Sequence, residues 1–261
     1  MAEKLTAGIC TSGSRVKLSA LAAGKFYNIS KKALNQEKVL FPMFDCLLGG
    51  CSARLTDIST LCVITGPGRF TGLRVGLTFA SVLKTLAGVQ VYSSTLFDIL
   101  AGQAAASKEF QAWTAGKKEP LIVALVHAFK DEYFCQAFQV SGQKSQVSGH
   151  WSLATGHRCT PVEAARWLKD TEIAGYLGAL GRDLYVVADA EEKEDIYSLV
   201  PAGFGKAPAS VSKIRPDFVI KTGLALKNRD LAPLYLKPAK YELMNIISNG
   251  RQGKAKEGDR K

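Results

Sequence analysis

The chain has 261 residues, a formal net charge of +11 and a hydrophobic fraction of 47%. This composition is ordinary for a globular protein with one large core or two medium ones, and no apolar run has the length of a membrane span. The first residues lack a signal-peptide pattern, so we expect a cytoplasmic protein. The six cysteines form no CxxC pair and have no histidine at a metal-ligand spacing. This pattern favours reduced, buried thiols over disulfides or a zinc site.

The positive charge is a weak indication of partners. Part of it lies in residues 249–261, which contain no apolar residue larger than alanine. We therefore expect a disordered basic tail over residues 245–261. Elsewhere the basic residues are not interleaved with aromatic ones, as they would be in a module that reads nucleic-acid sequence. Attraction to RNA phosphates, binding to an acidic partner and an ordinary solvated surface all stay open.

The first half of the chain predicts an α/β unit. Strands are predicted over residues 5–12, 15–21, 25–30, 61–65 and 89–93. Helices are predicted over residues 37–48, 71–87 and 95–106. Gly49 and Gly50 are expected to end the first helix. Three strands followed by alternating helices and strands indicate a mixed sheet flanked by helices.

The second half predicts another lobe, reached through a polar crossing at residues 107–118. Strands are predicted over residues 121–126, 132–140, 146–153 and 184–188. Thr160–Pro161–Val162–Glu163 predicts a helix start, because threonine caps helices, proline suits the first position and glutamate follows three residues later. An acidic helical segment is predicted near residues 191–199 and a last helix over residues 218–226. No internal sequence repeat is visible.

A glycine-rich turn, Gly66–Pro67–Gly68, joins a predicted strand to a predicted helix. Along that helix Gly72, Gly76 and Ala80 recur every four residues and form a ridge with almost no side chain. Glycine inside a helix costs about 1 kcal/mol relative to alanine. The ridge therefore predicts that another backbone approaches very closely at this place.

The same turn is a candidate anion site, because helix N-termini attract anions. Gly66, Gly68 and Arg69 are the residues that would form it. The turn lacks the Gly-Lys-Ser/Thr ending of a Walker A loop, and Thr71 stands where a dinucleotide loop needs its third glycine. We favour the structural alternative, in which the glycines set a sharp turn and Thr71 caps the helix.

At these positions the sequence resembles a known family. Residues 64–76 resemble the GPGSFTGLR segment of the TsaB (YeaZ) family, with Arg69 where serine is usual. Ile9–Cys10–Thr11–Ser12 is similar to the family's opening I-D-T-S strand, and residues 233–237 are similar to its closing P-x-Y-L-R/K element. The three landmarks follow the family's order, and the resemblance covers about residues 5–238.

The resemblance implies a two-lobed actin-like ATPase (ASKHA) fold of the α/β class, with mixed sheets flanked by helices. The N-terminal lobe would comprise residues 1–106, completed by a C-terminal helix at about 213–240, and the second lobe residues 107–212. Cys10 stands where an aspartate would hold a hydrated divalent cation, and a thiol is a poor ligand for Mg²⁺. In the second lobe, the family's D-A-R is replaced by His127–Ala128–Phe129. We expect no catalytic residue, no metal site and no cofactor in the isolated chain.

The resemblance also implies partners. TsaB-like proteins bind TsaD, which transfers a threonylcarbamoyl group to the adenosine beside the anticodon of certain tRNAs. This chain would be a scaffold for a TsaD-like subunit that carries ATP and a divalent metal. A TsaE-like ATPase would join the complex, tRNA would be contacted indirectly, and a homodimer of the isolated chain stays open.

The resemblance implies that the two helices at 37–48 and 71–87 form the surface that meets the partner. Their sequences agree with this, because both helices are apolar on more than one side. The predicted partner-binding residues are Leu40, Met43, Phe44, Leu47, Phe70, Thr71, Gly72, Arg74, Val75, Gly76, Phe79 and Ala80. In the alternative interpretation, both helices are simply buried inside the lobe. Two other functions stay open: an active ATP-dependent transferase or kinase using Asp131, Glu132 or Asp189, and a tRNA-binding accessory protein acting through its basic tail.

Overall fold

The computed structural model describes residues 5–142, 157–181 and 183–237. The first-lobe elements are β1 (Leu5–Cys10), β2 (Arg15–Ala22), β3 (Lys25–Lys32), α1 (Gln36–Gly50), β4 (Ile58–Gly66), α2 (Phe70–Ala87), β5 (Gln90–Thr95) and α3 (Leu96–Ala105). The elements that follow are α4 (Lys108–Trp113), β6 (Leu121–Phe129), β7 (Glu132–Gly142), β8 (His157–Pro161), β9 (Arg166–Lys169), α5 (Asp170–Leu180), β10 (Leu184–Ala188), β11 (Gly205–Lys206) and α6 (Pro216–Leu226).

The two sheets repeat one topology. The first has the order β3-β2-β1-β4-β5, and the second has the order β8-β7-β6-β10-β11, with β9 pairing with β7. In each, the first three strands form an antiparallel meander, and the fourth and fifth join parallel to the first. Each lobe therefore has the strand order 3-2-1-4-5. This duplication has no counterpart in the amino-acid sequence.

Two helices are buried between the sheets. Phe97 and Leu100 of α3 and Phe218 of α6 belong to one apolar cluster with Ile64 of the first sheet and Phe138 of the second. On its outer face the first sheet packs against α1 and α2, and the second sheet packs against α5. The layers therefore run helices, sheet, helices, sheet, helix, as the predicted mixed sheets flanked by helices require.

Two sequence predictions in the second lobe are wrong. The helix expected to start at Thr160 does not form, because Thr160 pairs with Gln139 in the sheet and the helix begins only at Asp170. The segment 191–199 is not a regular helix; only Ile196–Leu199 forms a single 3-10 turn. Its acidic side chains at 191 and 192 bind the first lobe instead.

Two smaller differences concern the end of α1 and the polar crossing. Helix α1 runs through Gly49 and Gly50 rather than stopping before them. The polar crossing contains the short helix α4, which Ser107 caps by accepting a hydrogen bond from the Phe110 N–H. The predicted strand at 146–153 and the predicted tail at 245–261 lie outside the described residues.

Candidate functional site

A cleft of about 380 Å³ separates the two lobes. Its first-lobe wall comes from the β1–β2 turn and from the turn before α2, including Ser12, Gly68 and Arg69. Its second-lobe wall comes from the end of β6 and from the segment after β10, including Asp189. The carboxyl ends of parallel strands meet at this edge of each sheet, which is where open α/β folds place their ligands.

A side chain of the protein itself occupies the β1–β2 turn. The Glu192 carboxylate accepts one hydrogen bond from the Ser14 backbone N–H at 2.7 Å and another from the Ser14 hydroxyl at 2.8 Å. Backbone and hydroxyl donors of this kind are the groups that bind phosphates in related turns. The carboxylate therefore takes the donors that an anionic ligand would use.

A buried lysine lies next to this contact. Lys17 makes an ion pair with Glu191 and also donates to the Ile214 carbonyl oxygen at 3.0 Å. Cys10 lies at the end of β1, with its sulfur 3.2 Å from the Ser12 hydroxyl oxygen. Burial raises the pKa of the Cys10 thiol, so it stays neutral and offers a divalent cation no charge.

Asp189 is a carboxylate of the cleft in which one oxygen atom lacks a hydrogen-bond partner. The residue is 3% exposed, and its Oδ1 atom has no hydrogen-bond partner in the described part of the chain. Burial raises the pKa of Asp189 to about 6, and the Lys17 charge opposes that rise. Of the three carboxylates named for an enzyme, Asp189 lines the cleft, whereas Glu132 lies outside its lining and accepts from Lys237.

The turn before α2 is fixed against the β1–β2 turn. The Arg69 N–H donates to the Ser12 carbonyl oxygen at 2.7 Å. A Cβ atom on Gly68 would lie 2.5 Å from the same oxygen, so only glycine fits there. Helix α2 begins at Phe70, and its N-cap residue, Arg69, makes no side-chain cap, so the prediction that Thr71 caps the helix is wrong. In the predicted anion site, the Arg69 side chain is exposed, but the Arg69 N–H already donates to the Ser12 carbonyl oxygen and is not free for an anion.

The small-residue ridge of α2 faces the end of β1 within the same chain. A Cβ atom on Gly72 would overlap the Thr11 carbonyl oxygen, and one on Gly76 would lie 2.5 Å from the Thr11 hydroxyl oxygen. The close neighbour that the sequence predicts is therefore Thr11 rather than a partner protein. The contact with Thr11 accounts for both glycines without a partner.

The predicted partner residues divide by exposure. Eight of them are buried in the first lobe: Leu40, Met43, Phe44, Leu47, Gly72, Gly76, Phe79 and Ala80. All but the two glycines belong to the apolar core against the first sheet, and the role of the eight in partner binding stays a prediction. Phe70, Thr71 and Arg74 are exposed, and Val75 is half-buried.

A different set of apolar side chains is exposed on α1 and α2. Phe41 is 56% exposed, Val82 45% and Leu86 81%. The Phe41 ring contacts the Phe79 ring at 5.6 Å between centroids, which links α1 to α2. The predicted partner-binding residues do not include these three. For Phe41 the sequence does hold a signal of exposure, because Phe41 lies four residues before Asp45 and therefore on the polar face of α1.

A groove of about 620 Å³ extends this surface along α2. One wall is α2, with Val82 and Leu86, and the other is the C-terminal segment, with Leu231 and Tyr235. At the far end the Tyr235 ring packs on Phe70, with centroids 5.4 Å apart. We call Phe41, Phe70, Val82, Leu86 and Tyr235 the α1–α2 surface.

The C-terminal segment also ties the lobes together. The Leu234 N–H donates to the Thr65 carbonyl oxygen at 2.8 Å, just before the glycine turn. Three residues on, the Lys237 ammonium donates to Glu132 of the second lobe and lies over the Trp167 ring. The closing motif found in the sequence is therefore a strap across the first-lobe turn.

The described ranges give no sign of a metal centre or a membrane segment. No group of three or more metal-ligating side chains is present among the residues described. His127, which lines the cleft, contacts the Lys130 carbonyl oxygen through Nε2 at 3.0 Å. No helix in these ranges has the length and the apolar composition needed to cross a bilayer.

Comparison with known proteins agrees with these landmarks. A curated relative from Buchnera aphidicola subsp. Schizaphis graminum, "tRNA threonylcarbamoyladenosine biosynthesis protein TsaB", is 25% identical over 100 residues. The match covers 38% of this chain and 44% of that protein, so the chain spans less than half of the curated relative it matches. The structure of YeaZ from Pseudomonas aeruginosa has a TM-score of 0.63 at 17% identity, covering 89% of this chain and 100% of that one.

The chain is therefore similar to proteins named TsaB and YeaZ. A second structure, an uncharacterized protein with similarity to peptidase YEAZ from Pseudomonas aeruginosa, has a TM-score of 0.64 at 17% identity and covers 90% of this chain and 100% of its own. A sequence profile described as "TsaD: tRNA N6-adenosine threonylcarbamoyltransferase" matches residues 31–157. The matches to YeaZ and the duplicated topology confirm the predicted fold class, an α/β protein with mixed sheets flanked by helices.

Proposed function

We propose that this chain is a TsaB/YeaZ-type protein, a non-catalytic subunit that binds a TsaD-like enzyme during threonylcarbamoyladenosine formation in tRNA. The names of its relative and of the matching profile support this reaction. The observation that carries the proposal is the exposed apolar α1–α2 surface. A patch of this kind on two adjacent helices is typical of a protein–protein interaction site.

The chemistry of the surface suits a helical partner. Phe41, Val82 and Leu86 supply apolar contact area, and Phe70 and Tyr235 supply an aromatic pair at one end. The Arg74 guanidinium lies 3.9 Å from the centre of the Phe70 ring. Aromatic residues and arginine are enriched at the centres of interfaces, where they lose water on binding.

The cleft supports a non-catalytic role. A nucleotide would need to displace Glu192 from Ser14 and place its phosphates beside Glu191 and Asp189. Like charges close together in a partly buried cleft disfavour this binding. In the proposed complex, ATP and its divalent metal are therefore held by the TsaD-like subunit. A TsaE-like ATPase would join this complex, and tRNA would be contacted through the partners.

The experiment is co-purification of the chain with the TsaD-like subunit from the same cell, with the mass of the complex measured by light scattering. We expect wild type to form a stable complex and Leu86→Glu to lose it, because a charge would be buried in an apolar contact. Val162→Glu is the matched control, since Val162 is 46% exposed in the second lobe, away from this surface.

Other results would overturn parts of the proposal. A complex that survives both Leu86→Glu and Phe41→Glu would exclude the α1–α2 surface. Failure of wild type to bind the subunit, together with ATP turnover by the isolated chain, would favour the transferase or kinase. Direct tRNA binding that disappears when residues 245–261 are deleted would favour the accessory-protein interpretation.

A further inference from the structure

The interlobe cleft has the features of a small-molecule site. Its volume of about 380 Å³ lies within the range of ligand pockets. Leu96, Val126 and Phe134 are buried and give it an apolar wall, while Phe129 is 59% exposed at its mouth. Asp189 is the buried carboxylate of this otherwise apolar wall.

Asp189 presents an acceptor that no described residue satisfies. Its Oδ1 atom is buried without a hydrogen-bond partner, and leaving a buried acceptor unsatisfied destabilises the protein, more so if the acceptor is charged. The Lys17 ammonium does not donate to this oxygen, because it is bound to Glu191 and to the Ile214 carbonyl. Asp189 also lines the cleft, so a donor bound in the cavity would lie against its carboxyl group.

The surroundings narrow the chemistry of that donor. Glu191 and Glu192 lie on the same segment as Asp189 and disfavour an anionic ligand. Within the described ranges no third metal-ligating side chain joins Asp189, so a bare metal ion would be poorly coordinated. Arg69 and His127 also line the cleft and, with Lys17 behind Asp189, disfavour a ligand with several positive charges.

We propose that the cleft binds a small organic amine, whose single ammonium group donates a hydrogen bond to Asp189 while its short apolar body packs against Phe129 and Phe134. This inference stands apart from the proposed scaffold function, since the α1–α2 surface contributes nothing to the cleft lining. The same carboxylates that disfavour a nucleotide favour this cation.

The test uses the full-length protein and two probes of the same shape, 3-methylbutylamine and 3-methylbutan-1-ol. Binding is measured by titration calorimetry and by the shifts of backbone NMR signals around the cleft. We expect the amine to bind about tenfold more tightly than the alcohol, since both partners in its hydrogen bond to Asp189 are charged, whereas the hydroxyl donor of the alcohol is neutral. Asp189→Asn should abolish this preference.

Two further measurements separate the site from a general charge effect. Glu194→Gln removes one exposed carboxylate that does not line this cleft, and it should keep the preference for the amine. Because burial raises the pKa of Asp189 to about 6, the amine should bind about tenfold more weakly at pH 5 than at pH 7, whereas the alcohol should not change. The charged or titratable groups near Asp189 in the described residues are Cys10, Lys17, Arg69, His127, Glu191, Glu192 and Tyr197.

Three outcomes would overturn the proposal. One is the absence of saturable amine binding at millimolar concentration, which would show that the cleft contains only solvent. Another is equal affinity for the amine and the alcohol in wild type. The third is an amine preference that Asp189→Asn keeps, which would place the ligand elsewhere.

Discussion

Ser14 and Glu192 are 178 positions apart in the chain, yet two hydrogen bonds join them across the two lobes. Ser14 belongs to the turn between β1 and β2, where the N–H and the hydroxyl both point at the carboxylate. Beside this contact Lys17 pairs with Glu191, and Arg15 lies 3.5 Å from the same carboxyl group. The segment after β10 therefore holds the first-lobe turn and fixes the spacing of the cleft.

We expect Glu192→Ala to lower the free energy of unfolding by about 1–2 kcal/mol, because two partly buried donors on Ser14 lose a charged acceptor. Urea unfolding followed by circular dichroism measures this change. Glu194→Ala is the control, since Glu194 is an exposed residue of the same acidic segment. Equal stability of the two variants would show that the Ser14–Glu192 contact does not hold the lobes.

Alanine at Gly72 should destabilise the protein, whereas alanine at Gly175 should stabilise it. Both residues are in helices, but a Cβ atom at Gly72 would overlap the Thr11 carbonyl, while one at Gly175 would meet nothing within 4 Å. We expect a loss of about 1–3 kcal/mol for Gly72→Ala, from crowding against a backbone atom. For Gly175→Ala we expect a gain of about 0.5–1 kcal/mol, from helix propensity alone.

Thermal and urea unfolding of the two variants would check this pair. If Gly72→Ala were as stable as wild type, the contact between α2 and Thr11 would be looser than the structure shows. The small-residue ridge would then be free for a partner, as the sequence alone indicated.

Local patterns predicted the parts of the fold that depend on neighbouring residues. The strand, glycine turn and helix between Ile58 and Ala87 were recognisable because hydrophobic periodicity changes at Gly66–Pro67–Gly68. The capping box of Thr95 and Asp98 likewise starts α3 where the sequence predicts it. These signals lie within a few residues of the structure they specify.

Contacts between distant residues could not be predicted in the same way. Thr160 has the pattern of a helix cap, but its pairing with Gln139 places it in a strand. Nothing near Glu192 in the sequence indicates that its carboxylate binds Ser14. The helix ridge at Gly72 showed that a close neighbour exists, but not that this neighbour is Thr11 of the same chain.

Asp189→Asn should raise the stability at neutral pH. An acid whose pKa is raised by folding, here from 3.8 to about 6, destabilises the folded state wherever it is ionised in both states. A shift of about two units corresponds to about 2–3 kcal/mol. Above pH 6 the free energy of unfolding of the variant should therefore exceed that of wild type by about 2–3 kcal/mol, and this difference should largely disappear as the pH falls to 4.

Urea unfolding of wild type and Asp189→Asn across this pH range would measure the difference. Glu194→Gln provides the comparison for an exposed carboxyl group and should show no such trend. A gain that is the same at pH 4 and pH 7 would mean that packing, rather than the ionisation of Asp189, accounts for it.

The cysteines offer a way to map the α1–α2 surface without changing it. Cys46 is exposed on α1, on the helix face that carries the exposed Pro42. Cys62 and Cys135 are buried, and burial raises the pKa of each thiol to about 12. Thiolates are the reactive form, so a thiol reagent at neutral pH should modify Cys46 quickly and the two buried residues slowly.

Binding of the TsaD-like subunit should then slow the modification of Cys46, because the partner would cover that face of α1. Mass spectrometry of peptides after a short pulse of iodoacetamide measures the rate at each cysteine. Cys159, half-buried in the second lobe, is the internal control and should react at the same rate in the free chain and in the complex. A stable complex in which Cys46 keeps its full reactivity would place the contact away from this face of α1.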